Sequence, residues 1–422
     1  VDDLLLLVHR IPYPPNKGDK IRSWHLLQHL AKRYRVHLAT FVDDKDDWQY
    51  VPHVRKLCAS SHFAPLNPRI ARVRSLRALL ANRAMSLDYY SDRGTRHWVR
   101  HTMGSKKIER IVVFSSPMAQ YAQPYPDARR IVDLCDVDSE KWRQYAGQKP
   151  WPASLLYAYE ASRLLCYERK VAACSDATLF VSQPEAQLFR RLAPESADRI
   201  GFYSNGVDTA YFSPDGEFAQ AAANPYAPGE RAIVFCGAMD YWPNIDAVEW
   251  FAREVLPAVL ARTPAARFVV VGARPAPAVR ALAALPGVVV TGTVPDVRPY
   301  VAHAALSVAP LRVARGIQNK VLEAMSMART VILSPQALEG IDAVSGRDVI
   351  VADDAAAFAA TVNAQLAAPG NFGAAARACI EAAYGWDARL AALDGLLEAP
   401  PMHAGAAAAA PAVNPLPEWT GA

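Results

Sequence analysis

"RAIVFCGAMDYWPNIDAVEWF", residues 231–251, is a short apolar run followed by helix-forming sequence. The same unit recurs at "ARFVVVGARP" (266–275), "GVVVTGTV" (287–294), "AALSVAPL" (304–311), "RTVILSP" (329–335) and "DVIVADD" (348–354). Strands buried on both faces that alternate with helices belong to a doubly wound parallel sheet. The chain shows the pattern earlier as well. Asp3–Val8 is an apolar run, a helix follows from Gly18 and Asp19, and Val36–Val42 is a second strand. Ile21, Trp24, Leu27 and Leu30 give that helix its three-to-four spacing. Further strands are expected at Arg110–Ser115, Arg130–Leu134 and Ala177–Ser182, with a helix over Ala153–Ala173. The pattern occurs twice, so the expected fold class is α/β, with two Rossmann-like doubly wound parallel-sheet domains facing across a cleft. The junction falls near Asn205–Gly229, where Gly, Pro and Asn cluster.

The bulk numbers agree with two domains. A chain of 422 residues exceeds one ordinary core, and 52% hydrophobic with 21% charged residues is a soluble globular composition. No apolar run reaches the ~18 residues that a membrane-spanning helix requires. "DLLLLV" is short and follows acidic Asp2 and Asp3, which argues against a secretory signal. Six cysteines (58, 135, 166, 174, 236 and 379) lie scattered without CxxC pairs or histidine partners. They read as reduced, mostly buried thiols of a cytoplasmic protein, with no zinc site. From Ala399 on the chain is Ala/Pro-rich, and residues 399–422 read as a flexible tail.

Charge divides unevenly. Residues 1–210 hold 32 Lys and Arg against 22 Asp and Glu, and the remainder holds 14 against 19. A basic first half fits an anionic partner, either a membrane surface or a phosphorylated acceptor, but it also fits an uneven solvated surface. The interleaved aromatic and basic repeats of a nucleic-acid module are missing, so nucleic acid is not an expected partner.

Open α/β sheets bind ligands beyond the carboxyl ends of their strands, beside helix N-termini. That rule selects "PPNKGDK" (14–20), "DLCDVDS" (133–139), "CGAMDYWPN" (236–244) and "APLRVARGIQNK" (309–320). In the last, Lys320 sits near a helix start, where exposed N–H groups already carry partial positive charge. A bound diphosphate would turn that liability into a direct counter-ion. Arg312 and Arg315 could add charge-assisted contacts, and Gly316 permits an unusual turn. Glu323 shares the helix face and can accept hydrogen bonds from sugar hydroxyls. The alternative is a plain i,i+3 surface pair of Lys320 and Glu323.

"GIQNKVLEAMSM" (316–327) resembles the donor-site signature of glycosyltransferase family 4, retaining sugar transferases of the GT-B fold. "YSNGVDTAYFSP" (203–214) and "TLFVSQPEAQLF" (178–189) are similar to other segments of that family, in its order. The closest variant is the sugar transferases of bacterial exopolysaccharide systems, some linked to PEP-CTERM sorting.

The resemblance implies an acceptor-side domain over 1–205 and a donor-side domain over 206–383. A helix at about 384–398 packs back on the first. It implies catalytic roles for Lys320 and Glu323, and places Asp133 or Asp136 near the reacting sugar, with Asp136 the catalytic candidate. Glu323 fits the second of the two signature glutamates, whereas the first is replaced by Arg315. Donor-sugar recognition then passes to the backbone of Gly316, Ile317 and Gln318, with Asn319 beside them. The usual phosphate-binding Arg and Lys after the first strand of the second domain are missing. Gly237 offers backbone N–H there, with Asn244 as a helix cap. Thr293 and Val294 correspond to the nucleotide-base edge, and Arg274 to a loop of the same cleft. Gly18, flanked by Lys17, corresponds to the family's glycine loop, and His9 faces the cleft.

Asp136 and Asp138 form a DxD, which in another fold holds a divalent metal on the diphosphate. That reading would leave the second strand series unexplained; here "DLCDVDSEKW" (133–142) lining the cleft from the first domain and Asp138 or Ser139 capping a helix are equal readings. "PRIARVRSLRALLANR" (68–83) alternates arginine with apolar residues and reads as a basic amphipathic helix, resting either on anionic lipid or on its own domain.

The function implied is a metal-independent, retaining glycosyltransferase without a cofactor. It would use a nucleotide-diphosphate sugar as co-substrate and a lipid-linked or polysaccharide hydroxyl as acceptor. Its expected place is the cytoplasm or the inner face of the cell membrane. The competing reading is a catalytically weakened scaffold in polysaccharide assembly, motivated by the absent glutamate and phosphate pair.

Overall fold

A computed structural model describes residues 1–15, 17–148, 150–215, 223–314 and 317–400. The expected Arg315, Gly316 and the tail beyond 400 lie outside the described residues. The chain forms two compact units, one of Val1–Ser204 with the residues from Leu390 on, the other of Asn205–Arg389.

The first unit holds a seven-stranded sheet in the order β3-β2-β1-β4-β5-β6-β7. Its strands are β1 (Asp3–Val8), β2 (Arg35–Val42), β3 (Ser60–Pro65), β4 (Ile108–Phe114), β5 (Arg129–Cys135), β6 (Ala177–Phe180) and β7 (Ile200–Phe202). All are parallel, with Leu5 opposite His37 on one side and Ile111 on the other. β1 is wholly apolar after Asp3 because helices cover both faces of the sheet. Helix α1 (Gly18–Ala31) follows β1, α2 is Pro68–Ser75, α3 is Asp138–Gln148 and α4 is Ala153–Ala173.

Two strands went unforeseen. β3 is "SSHFAP", half polar, and β7 has three residues; both are edge strands and need less apolar sequence. The helical spacing also placed Ile21 inward, yet Ile21 is half-buried while Arg22 has no exposure at all. The reason is a polar staple. Arg22 Nε donates to Asp133 Oδ2 at 2.8 Å and Nη2 to Oδ1 at 3.2 Å. Nη1 donates to the Tyr203 carbonyl at 3.0 Å, and the guanidinium lies 3.6 Å from the Tyr203 ring centre. The Tyr203 hydroxyl also donates to Asp133. Burial disfavours the guanidinium charge, but Asp133 outweighs it and the Arg22 pKa rises.

The second unit holds a six-stranded parallel sheet in the order β10-β9-β8-β11-β12-β13. These are β8 (Arg231–Cys236), β9 (Ala266–Val271), β10 (Val288–Gly292), β11 (Leu306–Ala309), β12 (Val331–Leu333) and β13 (Ile350–Val351). Its core runs from Phe235, Phe251 and Phe268 to Phe358. Helix α5 (Trp242–Trp250) follows β8 and α6 (Asn319–Ser326) precedes β12. In both sheets the order reverses after the first strand, between β1 and β4 and between β8 and β11. Chain connections leave in opposite directions at such a point, which opens a crevice at the strand ends.

The final helix, α7 (Trp386–Glu398), joins the first unit through its last turns. Asp394 takes the His29 ring nitrogen at 2.9 Å, and Arg33 pairs with Asp394 and Glu398. Among the six cysteines only Cys236 is buried; the other five are half-buried, against the expectation that most would be.

Candidate functional site

In the second unit the crevice between β8 and β11 receives two chain segments. Gly237 leaves β8, its N–H held by the Val271 carbonyl at 3.0 Å. Helix α6 arrives with Gln318 in extended backbone just ahead of it and no side chain capping its first turn. That helix has buried Val321, Leu322 and Met325 on one side, and this fixes Lys320 and Glu323 on the flank.

Lys320 is half-buried. Its ammonium donates to Asn244 Oδ1 at 3.0 Å and Gln318 Oε1 at 3.2 Å, and lies 5.3 Å from the centre of the Phe235 ring. Asn244 Nδ2 in turn donates to the Ala238 carbonyl at 2.9 Å. Asn244 was expected to cap its helix. It lies instead at the third position of α5, and its buried amide orients Lys320.

Glu323 and Lys320 do not form the contact ion pair that a surface reading would require, because the ammonium is turned to two amide oxygens. Burial pushes the Lys320 pKa down to about 8, with Glu323 opposing. It pushes Glu323 up to about 7, with Lys320 opposing. No described residue donates a hydrogen bond to the Glu323 carboxylate.

Close glycine packing makes this geometry. A Cβ on Gly237 would lie 2.8 Å from Asn244 Nδ2 and 3.4 Å from Lys320 Cε, and a Cβ on Gly272 would lie 1.7 Å from the Gly237 carbonyl oxygen. Gly272→Ala therefore forces the backbone apart, while Gly237→Ala displaces a side chain. The expected order of damage in chemical denaturation is Gly272→Ala well above Gly237→Ala, the former by ~3 kcal/mol or more. Equal midpoints for the two variants would contradict the packing.

The other expected contacts disperse. Arg312 forms a two-pronged pair with Asp246, and that hydrogen bond raises its pKa. Arg274 pairs with Asp240 at 2.9 Å, its own backbone in the left-handed region at φ 52°. Neither was expected to have an acidic partner. Ile317 is buried, and Asn319 accepts from Asn205 at 3.3 Å. Thr293 is exposed and Val294 half-buried, beyond β10 at the sheet edge.

In the first unit, His9 follows β1 at the switch point. It stacks on Phe114 at 5.7 Å, faces Asp19 at 3.4 Å, and keeps a buried Nδ1 with no partner among the described residues. Burial pushes the Asp19 carboxyl up, but His9 and Arg10 outweigh that and lower its pKa. Lys17 precedes α1 and Gly18 opens it, with open space where a Cβ would be; nearby Lys20 is committed to Asp47 at 2.6 Å.

Asp136 and Asp138 share one cation, Lys141, at 2.7 and 3.3 Å. Burial opposes the charge on Lys141, yet the two aspartates raise its pKa. The single ammonium thus offsets one of the two DxD charges. Ser139 caps nothing by its side chain; its hydroxyl donates to buried Glu168 at 2.5 Å. Two features escaped sequence reasoning, Arg22 and Ser115. Ser115 follows β4 at the switch point with φ 77°, a conformation with no signature outside glycine.

Residues 230–368, inside the second unit, match the family model for glycosyl transferases group 1. No curated protein matches the chain in sequence. Solved structures that share its fold include a sucrose-phosphate synthase from Thermosynechococcus elongatus, 17% identical, with 94% of this chain and 98% of that chain covered and a TM-score of 0.66. The HepE protein of Anabaena, in complex with UDP and glucose, is 13% identical over 94% of this chain and 99% of that one, with a TM-score of 0.61. A UDP-forming trehalose-phosphate synthase from Burkholderia vietnamiensis is 11% identical over 94% and 99%, with a TM-score of 0.59. Two parallel-sheet units with these neighbours make the fold GT-B.

Proposed function

We propose that the protein is a retaining glycosyltransferase that moves a sugar from a nucleoside-diphosphate sugar to a hydroxyl acceptor. The observation that carries the reading is Lys320. A half-buried ammonium at the N-terminal turn of α6, at the switch point of the sheet, is unfavourable unless an anion joins it. A diphosphate there receives the ammonium and the first N–H groups of the helix together. As the bond to the anomeric carbon breaks, charge grows on the leaving diphosphate, and those donors stabilise it. Glu323, one turn along the helix, accepts hydrogen bonds from the two ribose hydroxyls. The match to glycosyl transferases group 1 covers both residues, and the UDP and glucose bound by the Anabaena protein supply the donor class.

The acceptor we infer is a sugar hydroxyl of a polysaccharide or lipid-linked glycan, in exopolysaccharide or glycolipid synthesis on the inner face of the membrane. The reading needs neither a resident cofactor nor a metal. It is tested by incubating the chain with UDP-, GDP- and ADP-sugars and following nucleoside diphosphate release. No release together with no calorimetric binding of any nucleoside diphosphate would favour the scaffold reading.

The paired titrations give a pH profile. Glu323 must be ionised to accept from ribose, so kcat/KM rises as pH passes about 7. Lys320 must be protonated, so kcat/KM falls as pH passes about 8. The expected profile is a narrow bell between those values. Glu323→Gln should remove the acidic limb and keep the alkaline one. A flat profile from pH 6 to 9 would be incompatible with both roles (roughly two pH units span a hundredfold change in charge state).

A further inference from the structure

Helix α2 and the turns after it are built inside out. The positions facing the protein are small: Ala71, Ser75 and Ala78 are buried. The large apolar side chains face water. Leu80 is 94% exposed, Val73 71% and Ile70 64%, with Leu76 and Leu79 also exposed. A helix that only completed its own domain would show the reverse.

The orientation is fixed by polar anchors. Arg74 turns inward and donates to the carbonyls of Asp88 and Tyr89 at 3.2 and 2.9 Å. Buried Glu160 of α4 accepts the N–H groups of Met85 and Ser86 at 2.5 and 2.9 Å. The Tyr159 hydroxyl donates to the carbonyls of Ala78 and Arg83, both at 3.3 Å. Leu155, one turn before Tyr159 on the same side of α4, is exposed, as is Trp151 at 77%. Two segments distant in sequence thus bring their uncovered apolar side chains to one region of the first unit.

The surrounding charge selects the occupant. Residues 66–87 contain five arginines and no acid. Arg69, Arg72 and Arg77 are exposed beside the apolar residues. Apolar side chains that can enter the acyl boundary, ringed by guanidinium groups and joined by an exposed tryptophan, fit a lipid bilayer with anionic headgroups. We propose that this face of the first unit docks on an anionic membrane. The inference goes beyond the reading of Lys320 and stands apart from it, because every residue it uses belongs to the other unit.

The test is flotation of the full chain with vesicles of phosphatidylcholine alone and of phosphatidylcholine mixed with phosphatidylglycerol. Binding is expected to the mixed vesicles, weak to the neutral ones, and lowered by salt. Each arginine near the surface is worth about fivefold, so the triple variant R69Q/R72Q/R77Q should bind roughly a hundredfold more weakly. I70D/V73D/L80D should lose binding at least as far, and Trp151→Ser more modestly. Near-wild-type circular dichroism and urea unfolding midpoints in these variants show that the first unit still folds, and the arginine set leaves the apolar surface intact should the aspartate set fail to fold. Equal binding to neutral and anionic vesicles would overturn the proposal, as would wild-type binding by either triple variant. No vesicle binding, with self-association that I70D/V73D/L80D abolishes, would assign the face to a second copy of the chain instead.

Discussion

Lys320→Ala is expected to lower kcat for sugar transfer by roughly 10²–10³, the range seen when one preorganised donor to a developing oxyanion is removed. The loss falls mainly on kcat because the ammonium matters most when negative charge collects on the leaving diphosphate. Two further consequences separate this from a folding defect. Asn244 Oδ1 and Gln318 Oε1 lose their donor, and water entering the space left by the shortened side chain can replace it, so the melting temperature should move by only a few degrees. Lys320→Arg should restore little, since a flat fork cannot occupy a point between two amide oxygens beside the Phe235 ring. Turnover by Lys320→Ala at the wild-type rate would remove the assignment.

The largest expected change in stability lies in the first unit. Arg22→Ala leaves Asp133 buried without its cation and should cost about 3–5 kcal/mol. The Asp133 carboxylate also takes the Tyr203 hydroxyl and the Cys135 N–H at 3.0 Å, so the damage extends to the ends of β5 and β7. Asp133→Ala should cost as much, because it strands the guanidinium. The double variant R22M/D133L should recover much of the loss, since two apolar groups of similar volume replace a desolvated pair. Urea denaturation of the four proteins ranks them. A single variant that unfolds alongside wild type would mean the pair contributes nothing.

Sequence patterning made the sheets readable wherever a strand is covered on both faces. β1 and β8 are unbroken apolar runs after their first residue, and β9 and β11 are each interrupted once, by Arg267 and Ser307. Edge strands β3 and β7 carry a weaker signal for the same reason, because one side needs no partner. Within the candidate site, Lys320 was legible through a physical conflict, a cation at the positive end of a helix. Partner choice was not. Arg312 looks in sequence like a phosphate ligand and Arg274 like part of a loop lining the cleft, and only the fold brings Asp246 and Asp240 to them. Asn244 looked like a cap because its distance from β8 suits one, and a shift of three positions made it a lysine holder instead. Arg22 was hidden because spacing arguments sort residues by polarity, and a buried arginine is the case that such sorting discards.

The last turns of α7 have a bearing on how the chain is made. Asp394 meets His29 at 2.9 Å, and Arg110 Nε reaches the Leu397 carbonyl at 3.0 Å. Leaving the ribosome, His29 must wait for a residue 365 positions later, while the whole of Asn205–Arg389 emerges in between. The later-synthesised unit can close on itself as it appears, whereas the earlier one stays unfinished until α7 arrives. A nascent chain halted before residue 386 should therefore be cut by protease within Val1–Ser204 first, reversing the usual order in which the portion made first is protected first.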